Sequence, residues 1–364
     1  MYSEHLYNTL VELISIPSTS GHEEQIRAYL EGYFATIGLA ATVQSGGNLI
    51  VTVPGTAGMG KPLLLNAHMD RVPPGLGHTP ILRDGVLYSN GQTNLGADDA
   101  AGIVIILEVV RRVLDEQLPH PPLVLVFTVQ EEVGMCGAVG FDGSPWQVQD
   151  GIVFDNAFAA GAVVSRGASY EAFDVTITGR TGHPGKDLAQ TVNALEIFRR
   201  VALPLGSLDN DQTRINIGRI QGGSARNAVP ALLTLEGEMR SFAAPEMVER
   251  QKRHVQHVFE QAARQLGGSA EVTFTTHAQG YSINEDEPLL QTYRSVLEQR
   301  GASLELQPTF IGSDTSSFRA GMRVFTLSTG VVNEHSFEEY VPLAPLEQVV
   351  QDTLETLRLW SKQP

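Results

Sequence analysis

LLLNAHMD, residues 63–70, decides the fold. Three consecutive leucines make a segment buried on both sides, as in the interior of a parallel sheet. The run then turns polar, ending in His68 and Asp70. VLVFTVQEE (124–132) and GIVFDNA (151–157) repeat the plan, closing on Glu131, Glu132 and Asp155. Three times an apolar strand ends in a group that can bind a metal. Working outward, strands are expected over 41–53, 62–67, 123–129 and 151–154, with a helix over 100–114. Strands alternating with helices predict an α/β sheet covered on both faces.

The pattern changes between 166 and 280. YEAFDVTITG alternates like a half-exposed strand, and KDLAQTVNALEIFRRVA reads as an amphipathic helix. RINIGRIQGG and LLTLEGEMRSF follow as strands, then a helix beginning PEMVERQ and the strand AEVTFTTH. The order βαββαβ predicts a ferredoxin-like insertion with an antiparallel sheet. The α/β character returns after 281, so one domain spans 1–165 and 281–364 and is split in sequence by the insertion 166–280. Near the N-terminus, Ser20 three residues before Glu23 predicts a capping box, with His22, Glu23 and Glu24 in a solvated first turn.

A chain of 364 residues with 42% apolar and 18% charged residues has material for two folded cores. Its formal net charge of −16 argues against nucleic acid or anionic membrane as partner. No apolar run reaches the length that crosses a bilayer; GIVIILEVV is too short and is interrupted by Glu108. The N-terminal segment lacks the marks of a signal peptide. The single cysteine, Cys136, excludes an internal disulfide and fits a reducing cytoplasm. In its GMCGAVG setting Cys136 reads as a small loop residue, not a nucleophile. His254 and His257, three apart on a helix, have no carboxylate or thiol partner in the pattern and read as a solvated face.

The acids and imidazoles carry the chemistry. His68 and Asp70 alternate at a strand end and share one face, so Asp70 is placed to accept from an imidazole that binds metal. Asp98 and Asp99, in GADDAAG (96–102), stand at a helix start, where a cap and a metal bridge are both reasonable. Glu131 and Glu132 are adjacent and must point differently, so one can bind metal while the other acts as general base. With His335 in NEHSFEEYVPL (333–343), the oxygen and imidazole donors suffice for two ions sharing a carboxylate, with Zn²⁺, Mn²⁺ or Co²⁺ the fitting metals. Amide hydrolysis by a two-metal site is the chemistry this set predicts.

These segments resemble the M20 family of metallopeptidases, nearest its peptidase T (tripeptide aminopeptidase) branch. ISIPSTSGHEEQIRAYL, NAHMDRV, GADDAAG, QEEVGMCGAVGFD, FDN, GHPG, GGSARNAVP, LEGEMRSF, GSDTSSF and NEHSFEEYVPL occur in family order over nearly the whole chain. The resemblance implies a catalytic domain of zinc-exopeptidase type and an inserted lid that leaves room for a homodimer. It implies His68 and Asp155 on one ion, Glu132 and His335 on the other, Asp98 as bridge, Glu131 as base and Asp70 as the residue orienting His68. A cis peptide between Asp98 and Asp99 is implied too. Ala100 departs from the family, which often has lysine there. His183 in GHPG is implied as donor to the oxyanion, and Arg226, Asn227, Arg240, Ser313 and Asp314 as substrate contacts, with Gly312 in the same loop. An aspartate at 155 goes mostly with amino- and dipeptidases, so aminopeptidase action on short peptides is expected, against a carboxypeptidase, an N-acyl-amino-acid deacylase or a non-catalytic binding protein.

Overall fold

The computed structural model describes residues 2–56, 60–156, 158–186 and 188–363. The chain divides into two compact units, Met1–Arg166 with Ser282–Pro364, and Gly167–Tyr281. No helix among the described residues is long and apolar enough to cross a membrane.

A mixed sheet organises the first unit. Its centre is four parallel strands in the spatial order Leu123–Thr128, Leu63–His68, Asp150–Phe154, Arg323–Leu327. Leu49–Val53 adds antiparallel to Leu123–Thr128 and pairs in turn with Ala41–Val43. On the opposite side Val163–Gly167 joins antiparallel to Arg323–Leu327. The single strand expected over 41–53 is therefore a hairpin. Gly47 takes φ 100° in its turn, where Gln44 N–H and Asn48 C=O are 2.9 Å apart, a geometry that suits glycine.

Both faces of this sheet are buried, as a run of leucines requires. Leu63, Leu65 and Ala67 join Leu125, Phe127 and Phe154 in the larger core, while Leu64 joins Val124, Val126, Val153 and Phe318 in a second cluster. The helix Ala100–Asp115 packs on strand Leu63–His68 and against the helices Glu4–Ser15 and Leu343–Trp360. Enclosed on several sides, it buries 13 of its 16 residues. Glu108, fully buried, survives there because Arg112 Nε donates to it at 3.0 Å and also reaches Glu347 through Nη1 at 2.7 Å. A buried charge without such partners would be strongly unfavourable.

The capping box does not form. The second helix starts at Glu24, and Glu23 caps nothing through its side chain. Ser20 Oγ donates instead to Asp70 Oδ2 at 2.7 Å, and Glu23 is buried, accepting from Gly21 N at 2.8 Å and Gln130 N at 3.1 Å. Only His22 and Glu24 of the expected solvated turn are exposed. A small third sheet of Ile81–Arg83, Val86–Tyr88 and Tyr340–Pro342 was not foreseen, since three-residue strands leave no readable period.

The second unit follows the expected βαββαβ order, with an added short strand. Its antiparallel sheet runs Gly206–Leu208, Thr213–Gly222, Leu232–Ser241, Ser169–Thr178, Ser269–Ala278. One face is covered by Ala194–Arg199 and Pro245–Gln265, around Phe173, Ile177, Ile197, Val255 and Phe259. The first of these helices is much shorter than the segment 186–202 suggested. Val192 bridges Arg180 with backbone bonds of 2.8 and 2.9 Å, and Asn193 then caps the helix by accepting from Leu195 N at 2.9 Å. Asp187 lies outside the described residues.

The close spacing of the central strands is testable at Gly151, where an added Cβ would lie 2.9 Å from Leu64 Cβ and 3.1 Å from Val324 Cγ1. Gly151→Ala is expected to lower unfolding free energy by about 1–3 kcal/mol, read as a lower denaturant midpoint. An unchanged midpoint would contradict this packing.

Candidate active site

Strand ends and the turns behind them gather the acids. Asp98 and Asp99 are joined by a cis peptide, as expected, and divide the two roles the sequence left open. Asp99 is the cap of helix Ala100–Asp115: it accepts from Gly102 N at 2.8 Å and from His68 N at 3.2 Å, tying the helix start to the strand end. Asp98 is left free to turn elsewhere. Its Oδ1 lies 3.4 Å from His68 Nε2 and its Oδ2 lies 3.1 Å from His335 Nε2. His335 Nε2 is also 2.9 Å from Glu132 Oε1. One carboxylate thus stands between two imidazoles, with a second carboxylate beside one of them. His68, Asp98 and Glu132 can offer ligand atoms within 4.8 Å of one another.

The electrostatics describe a site short of positive charge. Burial pushes Asp155 up to about 8, and the charge on Asp98 adds to it. Burial likewise raises Glu131 well above the usual range, with Asp155, Asp314 and Glu132 adding repulsion, and it raises Glu132. Asp98 goes the other way. Against its burial, hydrogen bonds with His335 and His68 hold it well below ordinary carboxylates. His335 in turn is pushed up to about 10 by its bonds to Asp98 and Glu132. A proton on that imidazole supplies charge that a divalent cation would supply better. Carboxylate oxygens and imidazole nitrogens are also the donors that Zn²⁺, Mn²⁺ and Co²⁺ accept.

Two further acids hold the site in shape. His68 Nδ1 donates to the Asp70 carbonyl at 2.9 Å, closer than the Asp70 carboxylate at 3.5 Å. With Nδ1 engaged there, Nε2 is the ring nitrogen that faces Asp98. The Asp70 carboxylate instead accepts from Ser20 Oγ, from Glu131 N at 2.8 Å and from Glu132 N at 3.2 Å. With Glu23 taking Gln130 N, three successive amides of QEE are held by two buried acids. Glu339 does the same for Asp98: Oε2 accepts from Leu95 N at 2.8 Å and Gly96 N at 3.0 Å, and Oε1 from Ala97 N at 2.8 Å and Asp98 N at 3.2 Å. Glu339 escaped notice in the sequence, where it is one of an ordinary Glu–Glu pair, and Glu23 was read there only as a capping residue in a solvated turn.

Ser313 and Asp314, two of the expected substrate contacts, are buried, and their side chains are engaged with Thr326 Oγ1 (3.1 Å) and Thr128 Oγ1 respectively. In the second unit His183 is exposed, its Nδ1 accepting from Gly185 N at 3.1 Å. That bond places the ring proton on Nε2. Arg226 and Asn227 are exposed, while Arg240 lies 4.0 Å over the Tyr170 ring and donates to Glu238 at 3.2 Å. Cys136 is exposed in a turn, as are His254 and His257 on their helix.

A carboxylate–imidazole cluster gathered at the ends of parallel strands and the loop that carries His335 defines a metallohydrolase type of centre. Residues 64–358 match the model of peptidase family M20/M25/M40, and the chain belongs to that family. It is similar to a tripeptidase from Staphylococcus aureus subsp. aureus Mu50, with TM-score 0.94 and 32% identity over 100% of both chains. It is similar to aminopeptidase PepT from Bacillus cereus ATCC 10987, with TM-score 0.90, 28% identity and 99% of each chain covered. The YxeP protein of Bacillus subtilis, described as a dinuclear metal binding peptidase, shares the fold at TM-score 0.73 and 18% identity, over 99% of this chain and 98% of that one.

The raised acids make a pH prediction. Asp155 near 8 and Glu339 near 7, both raised chiefly by burial, bind more protons folded than unfolded, so stability is complete below about pH 4 and falls as pH rises through these values. His335, raised to about 10, contributes in the same direction. The chelated protein should therefore lose melting temperature between pH 5 and pH 8, measured by calorimetry, and added divalent metal should restore it most at pH 8. A metal-free protein most stable at pH 8 would contradict the arrangement.

Proposed function

We propose that the protein is a two-metal aminopeptidase that removes the N-terminal residue of short peptides, with zinc the first choice of metal. The observation that carries this reading is Asp98, whose two oxygens face two different histidines. His68 and Asp155 would hold one ion, Glu132 and His335 the other, with Asp98 between them. Bound there, the ions would polarise a carbonyl and lower the pKa of water.

Glu131 is the proposed base. Its backbone amide is fixed by Asp70, and its burial among acids raises its affinity for a proton. It takes a proton from the attacking water and returns it to the leaving amine, so one group serves both steps. His183, with its proton on Nε2, is the proposed donor to the oxyanion. Exposed Arg226 and Asn227, together with Arg240, are the proposed holds on the far end of the peptide. The split first unit is proposed as the catalytic domain, and the second as a lid that also serves dimerisation. Similarity over full length to a tripeptidase and to PepT supports aminopeptidase action.

The substrate class is checked by chromatography of di- and tripeptides against N-acetylated and C-terminally amidated versions. Tripeptides with a free amino terminus should be cleaved and N-acetylated ones spared, and chelation should abolish cleavage until Zn²⁺, Mn²⁺ or Co²⁺ returns. Release of C-terminal residues, or of acetate from N-acetyl amino acids, would move the protein to a carboxypeptidase or deacylase.

The two adjacent glutamates are separable. Glu131→Gln should keep its metal while kcat drops about 10²–10⁴-fold, whereas Glu132→Gln should lose affinity at one ion. Metal analysis showing the reverse would exchange their roles.

A further inference from the structure

Arg240, proposed as a hold on the far end of the peptide, is itself held by a ring to which the proposed chemistry gives no task. It lies on strand Leu232–Ser241 directly opposite Tyr170 of strand Ser169–Thr178. Both strands alternate. Phe173 and Val175 on one, and Leu235 and Met239 on the other, enter the helix-covered core. Tyr170 and Arg240 fall in the alternate positions and so stand on the opposite face. There the guanidinium carbon of Arg240 sits 4.0 Å from the centre of the Tyr170 ring. On the other side of Tyr170, strand Ser269–Ala278 is bulged: Thr276 pairs with Glu171 and Ala278 with Tyr170, so His277 is the extra residue. A bulge re-aims a side chain, and the His277 ring centre lies 4.8 Å from that of Tyr170 at an interplanar angle of 31°. Arginine, tyrosine and histidine thus form a row across neighbouring strands.

The charges around Arg240 favour its lean onto the ring. Arg214 is directly opposite it on strand Thr213–Gly222, and like charges facing each other across strands repel. Asp211 engages Arg214, accepting from Nε at 3.1 Å and Nη2 at 2.9 Å. Arg240 Nη2 donates to Glu238 Oε2 at 3.2 Å, with side chains 23% and 36% exposed respectively. A hydrogen bond between partly exposed charges is a weak hold. A guanidinium can stack on an aromatic face while its N–H groups stay available at its edge.

We propose that Tyr170 is a positioning residue for Arg240: it fixes the guanidinium so that its edge meets the C-terminal carboxylate of a short peptide, and His277 fixes Tyr170. The ligand class is a free α-carboxylate, which a guanidinium grips with paired hydrogen bonds. A long side chain loses rotamer freedom when it binds, and a residue that orders it beforehand removes part of that loss. The inference rests on Arg240 holding the peptide's far end. The competing account is ordinary cross-strand pairing, which stabilises the sheet and leaves binding alone.

Steady-state kinetics of the metal-loaded enzyme on one tripeptide, with its C-terminus free or amidated, separates the two accounts. On the free peptide, Tyr170→Leu is expected to raise KM about three- to ten-fold with kcat little changed. On the amidated peptide, for which wild type should already have the higher KM, no further rise is expected. Tyr170→Phe keeps the ring and should keep KM near wild type, and His277→Ala should give a smaller rise confined to the free peptide. Tyr170→Leu added to Arg240→Leu should have no further effect, because Tyr170 acts through Arg240. Equal losses on both peptides, or a lower denaturant midpoint with KM unchanged on both, would return the row to sheet pairing and overturn the proposal. A further loss from Tyr170→Leu in the absence of Arg240 would overturn it as well. A wild type indifferent to amidation would overturn the reading of Arg240 and this inference with it, whereas discrimination that survives Tyr170→Leu overturns the role of Tyr170 alone. Should Tyr170→Leu fail to fold, His277→Ala decides by the same comparison, with wild-type discrimination as the contrary result. If no tripeptide is cleaved, dissociation constants of the two peptides from calorimetry take the place of KM.

Discussion

Four backbone amides pointing at Glu339 are the constraint on which the site depends. Leu95, Gly96, Ala97 and Asp98 present consecutive N–H groups to one buried carboxylate, and the chain that emerges from this grip carries Asp98 between His68 and His335. Asp98 is exposed by only 17% and already between two imidazoles, so its position is set by the fold. The same device recurs across the site, where Glu23 and Asp70 hold the amides of Gln130, Glu131 and Glu132. Buried acids here are structural anchors for the acids that face the reaction. Each is satisfied by backbone donors, which lowers the cost of burying charge.

The sheet supplies the platform. Parallel strands buried on both faces cannot slip in register without carrying leucines and valines out of two cores at once. Residues at the ends of such strands inherit that rigidity. Helix Ala100–Asp115 is tied to strand Leu63–His68 through Asp99, which accepts from both. A displacement of the helix start would therefore move His68 and Asp98 together, and the cluster shifts as one body.

Much of this was legible in the chain. LLLNAHMD, VLVFTVQEE and GIVFDNA announced buried strands ending in donors, and the βαββαβ order of the insertion was readable from its alternation. What the sequence hid was hydrogen bonding over distance. Ser20 and Glu23 have the spacing of a capping box, yet their partners are Asp70 and Gln130, far along the chain. Local pattern competes with tertiary contact there, and contact wins. The hairpin over 41–53 was hidden because its strands share one apolar character and only the glycines between them mark the turn. Asp314 looked like a loop acid near the substrate, because nothing local shows that its loop folds inward onto Thr128.

The central claim is that the Asp98 carboxylate spans two cations. Anomalous diffraction from crystals of the metal-loaded protein, collected at the absorption edge of the bound metal, tests this directly. Two peaks roughly 3.5–4 Å apart are predicted, one on His68 and Asp155, the other on Glu132 and His335, with one Asp98 oxygen on each. A single peak, or two peaks with Asp98 bound to only one of them, would contradict the account.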